Sequence, residues 1–299
     1  MKDRLKKISS KLNSKFYFDY DMSKHVWFKA GGRVLVYCVV FDIKELQVIL
    51  NEIGDLPFEV IGAGSNLLIR DRGYHGIIFR LGKEFNKIKI CGTFVDVGAS
   101  ILDVNLAKFA QINSIKDFEF YSGIPGSIGG AIIMNAGCYG FETKDIVKEV
   151  EIIDKNGELK KYKNKEINFE YRSSYLPKNS IIISAKYNCI YGKRNEIMEK
   201  IDNIKKMRLE SQPIKSKTSG SSFKNPKNNY AAKLIDQADC KGMRVGDAVV
   251  SDKHANFLIN TNNASATEIE DLGKIIIDKV YNKYNIKLEW EVKIIGWSS

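Results

Sequence analysis

The chain lacks the marks of a disulfide or metal protein. Its five cysteines, Cys38, Cys91, Cys138, Cys189 and Cys240, stand far apart, and no C-x-x-C occurs. Odd in number and widely spaced, they read as reduced thiols of a cytoplasmic protein. The three histidines, His25, His75 and His254, are equally scattered and H-E-x-x-H is missing, so no metal is expected. A Walker A sequence is also missing, which removes the P-loop class. The longest apolar run, roughly Val34 to Phe41, falls far short of the ~20 residues that a spanning helix needs. The basic start MKDRLKKISSKLNSKF has no apolar core behind it. Neither a secretory signal nor membrane insertion is expected. No internal repeat or long low-complexity tract is visible.

What remains is an ordinary globular composition with a basic balance. Apolar residues make up 44% and charged residues 28% of 299 residues, enough for two or three domains with a sizeable core. The 47 basic and 36 acidic residues leave a net charge of +11, which attracts anions. The lysines are spread along the whole chain and no nucleic-acid motif is recognisable. Nucleotide cofactors and acidic metabolites are therefore candidates, and composition does not choose between them.

Periodicity gives an α/β start. Arg33 to Phe41 reads as a buried strand. Asp42 with Glu45 forms a capping-box pattern ahead of a helix, and PFEVIG and GIIFRL read as strands around the turn GAGSN. Two strands follow around Gly92, then a helix over LDVNLAKFAQIN. Asn156-Gly157 marks a hairpin in EVEIIDKNGELKKY. SIIISAKYNCIYG reads as a strand, roughly Asn195 to Leu209 as a charged helix, NYAAKLIDQADC as a helix and ANFLIN as a strand. Ser265 and Glu268 form a second capping box before a helix ending near Tyr284. KLEWEVKIIG alternates, with Leu288, Trp290, Val292 and Ile294 on one face and Glu289, Glu291 and Lys293 on the other.

Four stretches could carry chemistry. GAGSN, Gly62 to Asn66, follows a strand, and its small residues let backbone N–H groups approach a phosphate. Leu67 stands where a dinucleotide fingerprint needs its third glycine, so a plain tight turn is the competing reading. The glycine-rich run GIPGSIGGAIIMNAG, Gly123 to Gly137, is not expected to form a stable helix interior, since each glycine costs about 1 kcal/mol there. It either bends sharply or lies against a ligand. KSKTSGSSFKNP, residues 215 to 226, is a linker by composition, yet it ends in an aromatic and an Asn-Pro turn signal. Composition does not say which of Ser216, Ser219, Ser221 and Ser222 could donate a proton. Glu289 and Glu291, Arg172 in FEYRSS and His254 in KHANF are as readily solvated or structural as functional.

In their order and spacing these pieces resemble the UDP-N-acetylenolpyruvoylglucosamine reductase family. The resemblance rests on Gly31-Gly32, GAGSNLLIRDRGYHGIIFRL, SGIPGSIGGAIIMNAGCYG, EYRSS, GSSFKNP, the stretch from AAKLID to VSDKHANFLIN, and LEWEVKIIG. It covers most of the chain and looks like the shorter subclass, without the extra insertion near the substrate site. It implies an α+β protein: a vanillyl-alcohol-oxidase-like two-part FAD-binding unit plus a C-terminal α+β substrate-binding domain. The implied parts are residues 1–82, joined by the terminal strand 286–299, residues 83–209, and residues 210–285.

The resemblance further implies FAD held non-covalently by Gly62, Ala63, Gly64, Ser65, Asn66 and Leu67 and by Gly123, Pro125, Gly126, Ser127, Gly129, Gly130 and Ala131. NADPH would supply a hydride that ends on the vinyl carbon of UDP-N-acetylglucosamine enolpyruvate. By motif position, Ser221 would donate the proton and Arg172 would stabilise the enolate-like charge. Glu291, with its pKa raised, would hydrogen-bond the carboxylate. Lys224 and Asn225 are the expected substrate contacts. A cytoplasmic monomer with no nucleic-acid partner is expected. The sequence departs from the family pattern at Lys293, often arginine, at Val26, often threonine, and at Tyr121, often leucine. Another FAD-linked oxidoreductase would share the glycine loops but has no reason to carry GSSFKNP and LEWEV together. A basic nucleic-acid-binding protein would explain the charge and leave the motif order unexplained.

Overall fold

The computed structural model describes residues 2–297. Met1 of the expected 1–82 part, and Ser298 and Ser299 of the expected 286–299 strand, lie outside the described residues. The chain falls into two compact units. One holds the chain through Phe18 together with Val36–Ala63 and Gly76–Lys206. The other holds Asp19–Leu35, Gly64–His75 and the chain from Met207 onward.

The first unit contains a five-stranded antiparallel sheet. Its order is Leu159–Lys163, Val147–Ile153, Ile181–Asn188, Phe94–Gly98, Ile88–Cys91. The expected hairpin is there, with Ile153 facing Leu159. Its connection is not a two-residue turn but the five residues 154–158. Asp154 Oδ1 accepts from the Asn156 and Glu158 N–H groups, and its own N–H donates to Glu158 O, so a side chain supplements the backbone bonds of the turn. A four-stranded sheet runs in the order Lys15–Asp21, Arg33–Val40, Tyr74–Leu81, Phe58–Val60, the last two parallel.

Capping explains the helix starts. Asp42 accepts from the Glu45 N–H and begins the helix Ile43–Ile53. Glu45 does not return the bond to Asp42. Its carboxylate takes four bonds from Asn13 and Ser14, at 2.6–2.9 Å, and these hold its pKa below the usual value against the opposing effect of burial. Where the sequence argued against helix, a short one forms: Ile128–Ile133 includes Gly129 and Gly130. Bonds from outside the helix offset the glycine cost. Ile128 N–H donates to Ile101 O and Gly129 N–H to Ala99 O, each at 2.9 Å.

The second unit is organised by the helix Ala266–Tyr284, whose Ser265–Glu268 capping box is complete. Asp71 adds a further cap, accepting from the Ala266 and Thr267 N–H groups. The buried face of the helix, Ile269, Leu272, Ile276 and Val280, packs with Leu234, Ile235, Leu258, Leu288 and Phe223 in one core. An antiparallel sheet of Arg244–Val245, Ala248–Val250 and Leu258–Asn260 lies in the same unit. The terminal alternation is regular only in part. Leu288 and Val292 are buried and Glu289 is exposed, but the ladder proper is Lys293–Ile295, parallel to Leu67–Ile69. The strand Leu67–Ile69 had no separate signal in the sequence.

Candidate active site

The first unit shapes a bare cradle around Ser127. A Cβ at Gly62 would come within 2.1 Å of Ser127 Oγ, so only glycine lets the two loops meet. Gly130 is exposed, and a Cβ there would meet only Ser127 Oγ, at 3.8 Å. Gly62 is exposed as well. Two open glycine backbones beside a buried serine suit the close approach of a phosphate-bearing group. Pro125 and Gly126 are half-buried and Ala131 is buried.

Arg172 also belongs to the first unit. Glu170 and Ser173 exchange both backbone bonds, which closes a two-residue turn, and Arg172 occupies its left-handed position at φ 56°. A non-glycine residue in that region carries strain that its surroundings must sustain. Arg172 Nη2 donates to Gly137 O at 3.1 Å, and the guanidinium lies 4.9 Å from the Tyr171 ring centroid. Asn135, fully buried, donates to Glu170 O and to Glu142. It ties the Arg172 turn to the loop after the glycine run.

Tyr121, the departure from leucine, is fully buried between Thr143 and Tyr187, with its hydroxyl bonded to both. Burial pushes its pKa up.

In the second unit, Gly64 has φ +71°, and a Cβ there would press to 2.0 Å from His25 O. Its own carbonyl accepts from the Trp27 N–H. Ser65 and Asn66 are half-buried, and Leu67 is buried in its strand. Asn66 is occupied by the terminal segment: Nδ2 donates to Glu291 O at 3.0 Å and its carbonyl accepts from the Lys293 N–H.

The serine loop is not a free spacer, because isolated backbone bridges hold it on two sides. On one side Lys217 pairs with Asn260 and Ser221 with Phe257. On the other, Phe223 pairs with Trp290. Glu291 N–H donates to Ser222 O at 2.8 Å, and Lys224 N–H to Glu289 O. Ser221 and Glu291 are thus one step apart on bonded segments. Gly220 reaches φ +82°, a left-handed turn between the Lys217 and Ser221 bridges. Phe223, 1% exposed, plugs the core against Trp290, with ring centroids 4.7 Å apart. That burial stabilises by about 1.5–3 kcal/mol.

The neighbouring hydroxyls are more than loop filler. Ser222 is fully buried and its Oγ accepts from the Leu258 N–H. Thr218 and Ser219 are buried with hydroxyls that lack a protein partner.

Glu289 and Glu291 are separated by environment. Glu289 keeps 76% of its side chain exposed and faces Lys224 Nζ at 3.8 Å, whereas Glu291 is half-buried. Asn225 Oδ1 accepts from the Ala231 N–H and so caps the helix Ala231–Gln237. His254 packs edge-on against Phe257 at 4.6 Å, and its Nδ1 is buried without a protein partner. Burial lowers its pKa.

One residue beside these bridges had no assigned part in the sequence reading. Asn256, 3% exposed, accepts from the Phe223 N–H through Oδ1 and donates to Phe223 O through Nδ2. Its own carbonyl accepts from the Ser222 N–H. The signal available was an asparagine inside an apolar stretch, KHANFLIN, where a buried amide needs partners on both its ends.

Residues 34–163 match the family model described as FAD binding domain, which makes this an FAD-binding oxidoreductase fold of the vanillyl-alcohol-oxidase kind. Residues 212–295 match the model described as UDP-N-acetylenolpyruvoylglucosamine reductase, C-terminal domain. The UDP-N-acetylenolpyruvoylglucosamine reductase of Rickettsia conorii is 43% identical over 279 residues, 93% of this chain and 95% of that one. That of Rickettsia bellii is 42% identical over 280 residues, 93% of each. The crystal structure of UDP-N-acetylenolpyruvylglucosamine reductase from Thermus caldophilus superposes with a TM-score of 0.83 at 30% identity, covering 94% of this chain and 98% of that one. The chain belongs to the UDP-N-acetylenolpyruvoylglucosamine reductase family. The 6-hydroxy-D-nicotine oxidase of Arthrobacter nicotinovorans shares the fold alone, at 11% identity and a TM-score of 0.56, over 93% of this chain and 87% of that one.

Proposed function

We propose that Ser221, Arg172 and Glu291 are the residues with which this chain acts on its substrate. The chain reduces UDP-N-acetylglucosamine enolpyruvate to UDP-N-acetylmuramate in peptidoglycan precursor synthesis. FAD, when bound, supplies the hydride chemistry between NADPH and the vinyl carbon. Hydride addition at that carbon drives negative charge into the adjoining carboxylate, and a proton must reach the neighbouring carbon.

Ser221 donates that proton. A serine is a weak acid, and it serves only if its position is fixed. Arg172 offsets the charge on the carboxylate, and Glu291, protonated, donates a hydrogen bond to it. The observation that carries this reading is the 2.8 Å bond from the Glu291 N–H to the Ser222 carbonyl. It fixes the register between the donor serine and the glutamate. Gly62–Leu67 and Gly123–Ala131, with the glycine cradle described above, hold the FAD diphosphate through backbone N–H groups. Lys224 and Asn225 are assigned to the substrate, Lys224 exchanging its weak pairing with exposed Glu289 for an anionic group.

Residues 1–82 with 286–299, 83–209 and 210–285 act as the three functional parts. No described helix is long and apolar enough to cross a membrane. We place the protein in the cytoplasm as a monomer without a nucleic-acid partner.

Rapid-mixing kinetics on Ser221→Ala test the assignment. NADPH reduces the bound flavin at the wild-type rate, and reoxidation by the enolpyruvyl substrate slows by about 10²–10⁴-fold. Equal reoxidation rates in variant and wild type would remove Ser221 from the mechanism.

A further inference from the structure

The first unit hides one acid that this chemistry leaves unused. Asp103 opens the helix Asp103–Ile112 and is completely buried. Neither of its side-chain oxygens has a protein hydrogen-bond partner. A buried carboxylate in that condition is among the costliest groups a protein interior can hold.

Its surroundings point to one role. The Asp103 N–H donates to Gly126 O at 3.2 Å, and a Cβ at Gly126 would lie 2.5 Å from Asp103 Oδ2. Leu102 and Ser127 are bridged next to it. The carboxyl group therefore lies directly against the backbone of the glycine loop. The 3-10 turn Glu119–Gly123 packs on the same helix and brings Glu119 and Tyr121, and the strand Ile181–Asn188 brings Tyr187. Burial holds both tyrosines protonated well above their ordinary range. Glu119 has Lys200 Nζ at 3.8 Å.

We propose that Asp103 is a positioning residue of the cofactor loop. As an uncharged carboxylic acid it packs against Gly126 without repelling a diphosphate, and as a carboxylate it sets a negative charge beneath that anion and loosens it. The proposal rests on the reading that Gly123–Ala131 holds the FAD diphosphate. Burial raises the pKa of Asp103 well above the usual carboxylate value, in keeping with the neutral form. The folded chain then keeps a proton that the unfolded chain has shed. Stability is lost as pH rises through the range above the ordinary carboxylate value.

The test uses apoprotein stripped of flavin, wild type and D103N. FAD dissociation constants are read from quenching of flavin fluorescence between about pH 6 and about pH 10, beside melting temperatures of the same samples. Wild type loses FAD affinity towards alkali by about tenfold or more, and D103N by less than about twofold. At neutral pH D103N binds FAD as wild type does and its apoprotein melts higher. The same alkaline loss in both proteins, or weakened FAD binding by D103N at neutral pH, overturns the role of Asp103. Failure of wild type to bind FAD at any pH overturns the reading of the loop instead. If D103N does not fold, wild type decides alone, and an affinity that is flat across the pH range overturns the proposal.

Discussion

Gly123–Ser127 in the first unit and Lys217–Lys224 in the second are both connecting segments, and they are held by opposite means. The glycine loop is defined by what is missing from it. Its close approaches, Gly62 to Ser127 and Gly126 to Asp103, exist because no Cβ stands in the way. The serine loop is defined by what is added to it. Asn256 brackets Phe223 from one flank, and the Glu291 and Lys224 N–H groups tie it to the terminal segment on the other. An absence tolerates no added atom, whereas a bracket tolerates no lost one. The two loops should therefore fail under opposite kinds of substitution.

Asn256→Ala attacks the bracket and has the largest expected effect. It strands the buried N–H and C=O of Phe223, at about 1–3 kcal/mol each. Urea unfolding should show a loss of about 2–6 kcal/mol. A loss below about 1 kcal/mol would mean that the loop does not depend on this amide. Gly62→Ala attacks the cradle and should cost about 1–3 kcal/mol by overpacking. Weaker FAD retention should accompany it, measured as flavin released on gel filtration. The double variant Gly62→Ala/Ser127→Ala should recover part of both losses, because the first atom struck is Ser127 Oγ. No recovery would place the strain elsewhere.

The smallest effect concerns His254. Burial keeps it neutral in the folded chain below the pH at which it would protonate when unfolded. Stability is then lost as pH falls through the ordinary histidine range. His254→Gln should flatten that acid limb of the melting curve and leave the neutral value nearly unchanged. An unaltered limb would show that other groups govern it.

Absence is easier to see in a sequence than a bracket is. The glycine runs, the Asp42 cap and the Ser265–Glu268 box announce themselves within a few residues, and the structure carries them. The partners of Asn256 and Asn66 lie 33 and 225 residues away, so no local pattern reveals them. Glu45 misleads for the same reason: its capping position is local, but Asn13 and Ser14 claim its carboxylate from outside. Alternation in LEWEVKIIG finds the buried face at Leu288 and Val292 but is blind to the partner. The register against Phe223 and Leu67–Ile69 is set by tertiary pairing.

The parallel pairing of Leu67–Ile69 with Lys293–Ile295 has a consequence for how the protein is made. At about 5–20 residues per second a ribosome needs roughly 10–45 s to pass from one strand to the other. Throughout that interval three apolar residues destined for burial have no ladder to join. Asn66 likewise waits for the peptides at Glu291 and Lys293. The antiparallel hairpin Val147–Ile153 with Leu159–Lys163 has both strands within 17 residues and closes as it emerges. The second unit is thus the late partner in synthesis, and a nascent chain stalled before residue 290 would expose an adhesive edge to chaperones and proteases alike.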